Sequence, residues 1–247
     1  MLAVSVSAAP AADIVTSLPN MTNFTYGVYS GFLNLTATKK IYYLFEESKN
    51  DPKTDPLILW SNGGPGCSSL LGWLGEVGHY IQQDDGSFLE NNHSFNMNAS
   101  VLYFDHPAPV GWSTCKDAEC HANDTTDGID NAAAVKAWFD LFPEFKTNNL
   151  WLAGESYAGI YLPTLLYQLD KYNQNVTDKI NVKGMMIGNG VTNWTYDTQP
   201  ATFNMTYWHA IMGQDMYENL TANECDFSMM NFGKVPNRTC LDIFYNF

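Results

Sequence analysis

Short apolar runs that end at Gly, Pro, Asn or Asp recur along the chain and are separated by polar, turn-forming segments. Short runs that are bounded by turn-forming residues are typical of β-strands. A run without a polar position, such as Leu57–Trp60, is typical of a buried strand. The candidate strands are Tyr26–Leu35, Lys40–Glu46, Leu57–Trp60, Val101–Phe104, Leu150–Ala153 and Val182–Gly188.

One segment has the spacing of an amphipathic helix. Within Asp127–Phe142, apolar residues recur at helical intervals, and Pro143 ends the pattern. We predict that this helix packs on the sheet through Ile129, Val135, Trp138, Phe139 and Phe142. Residues 196–247 are rich in Met, Tyr, Phe and Asn without a clear period, and within them Phe203–Met212 is predicted as an aromatic-rich helix or lid.

A serine lies between glycines directly after the fifth candidate strand, in Gly154-Glu155-Ser156-Tyr157-Ala158-Gly159. A strand that runs into G-x-S-x-G predicts a nucleophile elbow, because the sharp turn exposes the serine hydroxyl to a base and to N–H donors. The alternative is an ordinary strand-to-helix turn with an exposed serine.

A second motif, Ser61–Ser69, follows the strand Leu57–Trp60 and contains three glycines. Its backbone can therefore approach a ligand closely, and its amides can stabilise an oxyanion. In a hydrolase with a nucleophile elbow, one oxyanion donor is the backbone N–H of the residue after the nucleophile, and the other comes from a loop that follows an earlier strand. A plain turn is the alternative for this loop alone, but the two motifs together favour a catalytic site.

Both motifs, W-S-N-G-G-P-G-C-S-S at 60–69 and G-E-S-Y-A-G at 154–159, resemble those of the serine carboxypeptidase family. Weaker similarities extend the resemblance over residues 13–195. It departs at Pro109, where the family usually has glycine, so that this side of the pocket is stiffer. The resemblance implies an α/β-hydrolase fold: a mixed, mostly parallel sheet flanked by helices. The predicted divisions are a signal peptide at 1–12, a partial hydrolase core at 13–195 and the start of a helical lid at 196–247.

The resemblance also implies roles for individual residues. Ser156 would be the acylated nucleophile, and the N–H groups of Gly64 and Tyr157 would form the oxyanion hole. The C-terminal carboxylate of a peptide substrate would bind to Asn62, Gly63, Glu76 and Glu155.

Physical chemistry independently supports a role for the two glutamates. Two carboxylates brought close cannot both ionise cheaply, so Glu76 and Glu155 can share a proton and donate it to a substrate carboxylate. We therefore expect peptide binding to be tighter in acid than at neutral pH. The alternative is that both glutamates are unrelated surface acids.

The rest of a catalytic triad is not identifiable. On this fold an acid and then a histidine follow the nucleophile, and His209 is the only histidine after Ser156. It lies in the aromatic-rich segment and is interpreted as a packed or surface residue. The other histidines precede Ser156, and no candidates are found for the last two strands of the usual sheet. The chain thus resembles an N-terminal portion of a family member.

The predicted function is release of C-terminal residues through an acyl-enzyme on Ser156. Two alternatives remain: acyl transfer to a small alcohol by the same site, and a non-catalytic glycoprotein that binds peptides or a partner protein. No cofactor is predicted, and a metal site is disfavoured because the chain has no C-x-x-C or H-x-x-H cluster.

Charge and hydropathy narrow the class of partner. A net charge of −14 without clustered Lys and Arg argues against nucleic acid. No apolar run is long enough to predict a membrane span. The oligomeric state stays open.

The secretory pathway, with a secreted or lysosomal destination, is predicted from three features. The uncharged, small-residue segment at 1–12 has the character of a short signal peptide, with a disordered tail as the alternative. Cys115 and Cys120 are close in sequence, Cys225 and Cys240 bracket the C-terminal segment, and Cys67 is left over. Eleven N-x-S/T sequons occur, at Asn20, Asn23, Asn34, Asn92, Asn98, Asn123, Asn175, Asn193, Asn204, Asn219 and Asn237.

Overall fold

The computed structural model describes residues 10–21, 24–116, 120–194, 196–197, 199–227 and 237–245. The chain divides into two compact units, Met1–Gly190 and Val191–Phe247. Residues 1–9 of the predicted signal peptide and the Asn23 sequon lie outside the described residues. At the other ten sequons the asparagine is exposed.

The first unit is built on a six-stranded sheet in the order β1-β2-β6-β3-β7-β8. β1 and β2 run antiparallel to their neighbours, whereas β6, β3, β7 and β8 are mutually parallel. All six predicted strands are present, and the mixed, mostly parallel class is confirmed. The strands are β1 Val28–Asn34, β2 Lys40–Glu46, β3 Leu57–Ser61, β4 Tyr80–Gln82, β5 Phe88–Glu90, β6 Ser100–Phe104, β7 Leu150–Glu155 and β8 Val182–Gly188.

The strands β4 and β5 form a separate two-stranded hairpin that the sequence pattern did not predict. Each has only three residues, too few for an alternating pattern to be recognised. The helices are α1 Leu70–Gly75, α2 Asp124–Leu141, α3 Ala158–Asn173, α4 Gln199–Trp208, α5 Gln214–Ala222 and α6 Arg238–Tyr245.

Helix α2 begins earlier than its apolar pattern predicted, because Asn123 caps it. The Asn123 side chain accepts from the N–H groups of Thr125 and Thr126, and Thr126 Oγ1 accepts from the Asn123 N–H in return. The prediction that Ile129 lies on the buried face was wrong: Ile129 is 50% exposed. Nine residues at about 100° each place it on the side of the helix opposite Trp138, which is fully buried.

Alternate side chains of the central strands pack on opposite faces of the sheet. One face, which includes Phe45 and Leu59, meets Trp138 and Phe142 from the α2 region as well as residues of α3. The opposite face, which includes Trp60, meets Trp73 of α1 and Val77. The sheet is thus covered on both sides, and its carboxyl edge is left for loops.

A buried polar group, here called the Glu46 cluster, lies on the α1 face and consists of Glu46, Tyr26, Tyr103 and His79. Glu46 is fully buried at the end of β2, opposite Val101 at the amino end of β6. It accepts a hydrogen bond from Tyr26 Oη at 3.1 Å. Burial raises the pKa of Glu46 to about 7, although Trp73, Tyr26 and the His79 backbone N–H favour its charged form.

The pairing of the Glu46 cluster is incomplete. Tyr103 Oη and His79 Nδ1 are buried and have no hydrogen-bond partner among the described residues. The other ring nitrogen of His79 lies 3.0 Å from Lys49 Nζ, and burial, with help from that ammonium group, lowers the pKa of His79.

The second unit contains α4, α5 and α6, so that much of residues 196–247 is helical although no period was evident. Its core is formed by Phe203, Met212, Leu220 and Phe227. The disulfide Cys225–Cys240 joins the end of the α5 region to α6. Short helices fixed by a disulfide and by aromatic packing need no long apolar period, which explains why the pattern was missed.

Candidate functional site

The turn at Ser156 joins β7 to α3 at the carboxyl edge of the sheet. Ser156 has φ +57°, a left-handed conformation that is uncommon for a residue other than glycine. Its N–H donates to the Gly188 carbonyl at 3.0 Å, which ties the turn to the end of β8. A strained residue held between a strand and a helix is the backbone geometry that a nucleophile elbow requires.

The 61–69 segment, which runs from Ser61 to Ser69, approaches this elbow so closely that only glycine fits at position 63. A Cβ on Gly63 would lie 2.4 Å from the Tyr157 backbone nitrogen and 2.7 Å from Ser156 Cβ. The next residue, Gly64, has φ +114°. Its N–H makes no hydrogen bond with another described residue. The two predicted oxyanion donors thus belong to backbone segments that meet beside Ser156.

Asn62 is the centre of the predicted carboxylate site. Its Nδ2 donates to Glu76 Oε1 at 3.0 Å and to Glu155 Oε1 at 3.1 Å, and the residue is only 3% exposed. The Asn62 Oδ1 accepts from Trp60 Nε1 and from the Gly72 N–H, each at 2.9 Å. Because two donors fix the oxygen, the amide nitrogen must face the carboxyl groups.

The structure therefore brings Glu76 and Glu155 together although they lie 79 positions apart in the sequence. They meet through Asn62 Nδ2, and no direct hydrogen bond joins the two carboxyl groups among the described contacts. Two carboxyl groups beside an amide N–H can bind a third carboxyl group when a proton is shared among them.

Further contacts fix the 61–69 segment along its length. Ser68 Oγ donates to Asp105 Oδ1, and the Gly66 N–H donates to Tyr161 Oη at 3.1 Å. The Trp112 N–H donates to the second Asp105 oxygen at 2.9 Å. Asp105 therefore also supports the loop that contains Pro109, where cis peptide bonds precede both Pro107 and Pro109.

A buried hydrogen-bonded group, here called the His106 network, lies behind this segment and was not predicted. It consists of Ser61, His106, Asp127 and Asn131, each 2% exposed. His106 precedes Ser156 in the sequence and was therefore not a candidate for the triad histidine. A usable signal was present, since Ser61 and His106 follow two buried strands closely and the carboxyl ends of parallel strands meet at one edge.

No histidine forms a hydrogen bond with Ser156 Oγ among the residues described. His209, the only histidine after Ser156 in the sequence, is exposed, and its Nδ1 lies 2.8 Å from the Met205 carbonyl oxygen of α4. The contacts of His209 thus agree with its interpretation as a surface residue.

Two cavities border the site. One, of about 260 Å³, lies beside the elbow and is lined by Tyr157, Tyr161, Asp124 and Asp127 among others. Burial, together with a 2.9 Å hydrogen bond to Asp124, raises the pKa of Tyr157 to about 12, so that its hydroxyl stays protonated. The other cavity, of about 410 Å³, lies along α1 and is lined by Leu70, Leu71, Leu74 and Gly75 together with Ser68, Gln82, Gln83 and Asp84.

The cysteines form the disulfides Cys115–Cys120 and Cys225–Cys240, while Cys67 is exposed and free. Over the described part of the chain, no group of three or more His, Cys, Asp and Glu residues could hold a metal ion. No helix within those residues is long and apolar enough to cross a membrane.

Comparison with known proteins agrees with this geometry. The family model described as serine carboxypeptidase matches residues 19–245. The lysosomal protective protein of Mus musculus is 38% identical over 237 residues, which cover 95% of this chain and 49% of that protein. A serine carboxypeptidase of Caenorhabditis elegans is 38% identical over 224 residues, covering 89% of this chain and 46% of that protein. The chain spans about half the length of these relatives.

Among solved structures, a prohormone-processing carboxypeptidase from Saccharomyces cerevisiae superposes with a TM-score of 0.72 at 21% sequence identity. The match covers 90% of this chain and 52% of that one. At this identity the likeness concerns the fold.

Proposed function

The chain belongs to the serine carboxypeptidase family, and from this premise we propose that Ser156 is the nucleophile that releases C-terminal residues from peptides. Its hydroxyl oxygen attacks the carbonyl carbon of the last peptide bond, and the hydroxyl proton passes through a general base to the departing amine. The C–N bond breaks, an ester forms on Ser156, and water hydrolyses that ester. The N–H groups of Gly64 and Tyr157 stabilise the negative oxygen of each tetrahedral intermediate.

The observation that carries this proposal is the pair of hydrogen bonds from Asn62 Nδ2 to Glu76 and Glu155. Glu155 immediately precedes the nucleophile, so that a carboxyl group bound here lies close to the reacting oxygen. A carboxylate bound next to the scissile bond restricts cleavage to the last residue of a chain, which is the definition of a carboxypeptidase.

The cavity along α1, which has leucines on its helix side and polar residues opposite, supports a preference for the released residue. Leu71 is 58% exposed beside it, and a Cβ on Gly75 would meet nothing within 4 Å. The cavity borders the same helix whose end provides Glu76. Because the side chain and the carboxylate of the released residue share one Cα, we propose that this cavity receives an apolar side chain.

A secretory compartment is supported by the two disulfides and by the exposure of the ten described sequon asparagines. We propose a secreted or lysosomal location on this ground.

Labelling with a fluorophosphonate probe at pH 5 and pH 7, followed by mass mapping, tests the nucleophile. We expect modification at Ser156 and none in the Ser156→Ala variant. A folded chain that is not labelled at either pH would contradict the proposed reaction.

A second candidate function is peptide binding without turnover, and one observation favours it: no described histidine contacts Ser156. To separate the two candidate functions, binding of a peptide acid is compared with binding of its C-terminal amide. Fluorophosphonate labelling of Ser156 is measured on the same chain. Preference for the acid without labelling at Ser156 would indicate a binding protein, whereas preference with labelling supports the peptidase. Affinity for the acid that is flat from about pH 4 to pH 8 would refute the shared proton.

A further inference from the structure

We propose that His106 is a positioning residue that holds Ser61, and through it the carboxylate-binding Asn62 and Gly63, in place. The proposal rests on the proposed function, because it assigns a support to that same site. It concerns the His106 network, which the reaction itself does not use.

The contacts of His106 connect three elements. Its Nε2 lies 3.1 Å from Ser61 Oγ at the end of β3. Its Nδ1 lies 3.1 and 3.2 Å from the two carboxylate oxygens of Asp127, and 2.8 Å from the Asn131 side-chain amide, both on α2. The ring also packs edge-on against Tyr161 of α3 at 4.7 Å between centroids.

These contacts fix which nitrogen carries the proton. Nδ1 faces a carboxylate and must therefore be the N–H donor. Asn131 then has to turn its oxygen towards Nδ1, and the other atom of its side-chain amide has no partner among the described residues. With the donor proton on Nδ1, Nε2 accepts from the Ser61 hydroxyl at 3.1 Å.

The order Ser–His–Asp is that of a catalytic triad, but Ser61 and His106 line neither of the two cavities described above. Ser61, His106 and Asp127 are each only 2% exposed. In a catalytic triad the aspartate orients the imidazole towards the nucleophilic serine. In this network Asp127 orients the imidazole of His106 towards Ser61, the last residue of β3.

That strand end controls the site. Ser61 directly precedes Asn62, and Ser61 pairs with Gly154 across the sheet so closely that a Cβ on Gly154 would lie 2.3 Å from the Ser61 carbonyl oxygen. The neighbour of His106, Asp105, holds Ser68 near the other end of the 61–69 segment. Two consecutive side chains after β6 therefore fix both ends of the segment that contains the carboxylate and oxyanion groups.

Four variants test this arrangement. Ser61→Ala removes the hydroxyl while leaving Asp127 paired, and His106→Leu removes the whole support. His106→Gln is the conservative rescue, since its amide oxygen can still accept from Ser61. Asp130→Asn is the matched control. Asp130 lies on the same helix as Asp127, and its substitution weakens a 2.7 Å ion pair with Lys39 without contacting the 61–69 segment.

The first readout is the ratio of affinities for a peptide acid and its C-terminal amide, measured by calorimetry on the full chain. We expect Ser61→Ala to lower this ratio about tenfold, the effect of one lost buried hydrogen bond. His106→Gln should remain close to wild type and Asp130→Asn should equal it. A purely structural role would lower the unfolding temperature and leave the ratio unchanged.

The second readout does not depend on a ligand. A nitroxide on Cys67, the free thiol within the segment, should show greater mobility in Ser61→Ala and in any folded His106→Leu sample than in Asp130→Asn. A folded Ser61→Ala protein with wild-type ratio and wild-type mobility would overturn the proposal. A wild-type chain that does not prefer the acid would instead refute the proposed function, and the mobility measurement would then decide whether His106 supports the segment.

Discussion

The His106 network and the Glu46 cluster are both buried in the sheet unit, but they lie at opposite ends of the sheet and differ in pairing. Each polar atom of the His106 ring has a partner from another element. In the Glu46 cluster, Tyr103 Oη and His79 Nδ1 have none among the described residues. A buried network in which both ring nitrogens of the histidine are paired restricts the elements that it joins, whereas the unpaired atoms around Glu46 leave that acid open to titration.

The largest effect is expected when the paired network loses one partner. His106→Leu removes the hydrogen-bond donor that faces the buried Asp127 carboxylate, and a buried charge that loses its partner costs about 3–5 kcal/mol of unfolding free energy. Urea denaturation measures this loss. Asp130→Asn, whose ion pair is partly exposed, should cost about 1 kcal/mol or less. Equal losses in the two variants would show that the pairing of Asp127 has no special weight.

Glu46→Gln should change the pH dependence of stability. The pKa of Glu46 is raised from 4.5 to about 7, so the folded state holds a proton that the unfolded state releases, and stability falls as pH rises between these values. The wild type should therefore lose up to about 3 kcal/mol relative to Glu46→Gln between pH 4.5 and pH 7.5.

The measurement for Glu46→Gln is the difference in unfolding free energy between variant and wild type at several pH values. Glu218→Gln, at an exposed acid of the second unit that does not belong to the Glu46 cluster, is the control and should show no such trend. A difference for Glu46→Gln that is constant with pH would mean that Glu46 ionises alike in both states.

Gly63→Ala tests the close approach at the carboxyl edge of the sheet. The added Cβ would meet the Tyr157 nitrogen and Ser156 Cβ, so we expect labelling of Ser156 by a fluorophosphonate to slow about a hundredfold. Gly75→Ala, which adds a Cβ into open space, should label at the wild-type rate. Labelling of Gly63→Ala at the wild-type rate would show that the segment can withdraw from the elbow without loss.

Tyr26→Phe is expected to have the smallest effect. It removes the hydroxyl that donates to Glu46 at 3.1 Å, and this donor favours the charged carboxylate. The loss of stability should be about 1 kcal/mol at pH 8 and smaller at pH 5, where Glu46 is neutral. Thermal unfolding at the two pH values measures it, and an equal loss at both would contradict the assignment.

The strands were predictable because each is a short apolar run with turn residues on both sides, and β2 and β8 have the predicted bounds. The orientation of α2 was less predictable. The apolar character of Ile129 suggested burial, whereas the angular position of Ile129 around the helix points its side chain to solvent. The motifs at 60–69 and 154–159 predicted which segments meet, since their local turn chemistry requires glycine.

The His106 network could not be predicted from a local sequence pattern. Its members come from β3, the end of β6 and α2, and no local period relates residues that the chain brings together from such distances. A buried histidine becomes informative only when the residues that face both of its nitrogens are known.

The left-handed backbone at Ser156 also limits which nucleophile the elbow can carry. A side chain branched at Cβ is strongly disfavoured at φ +57°, so threonine, which has the same reactive group, is excluded there on conformational grounds. Cysteine is unbranched and can adopt the turn. The backbone at this position therefore accepts Ser156→Cys, which exchanges oxygen for sulfur, but not Ser156→Thr, which adds a single methyl group.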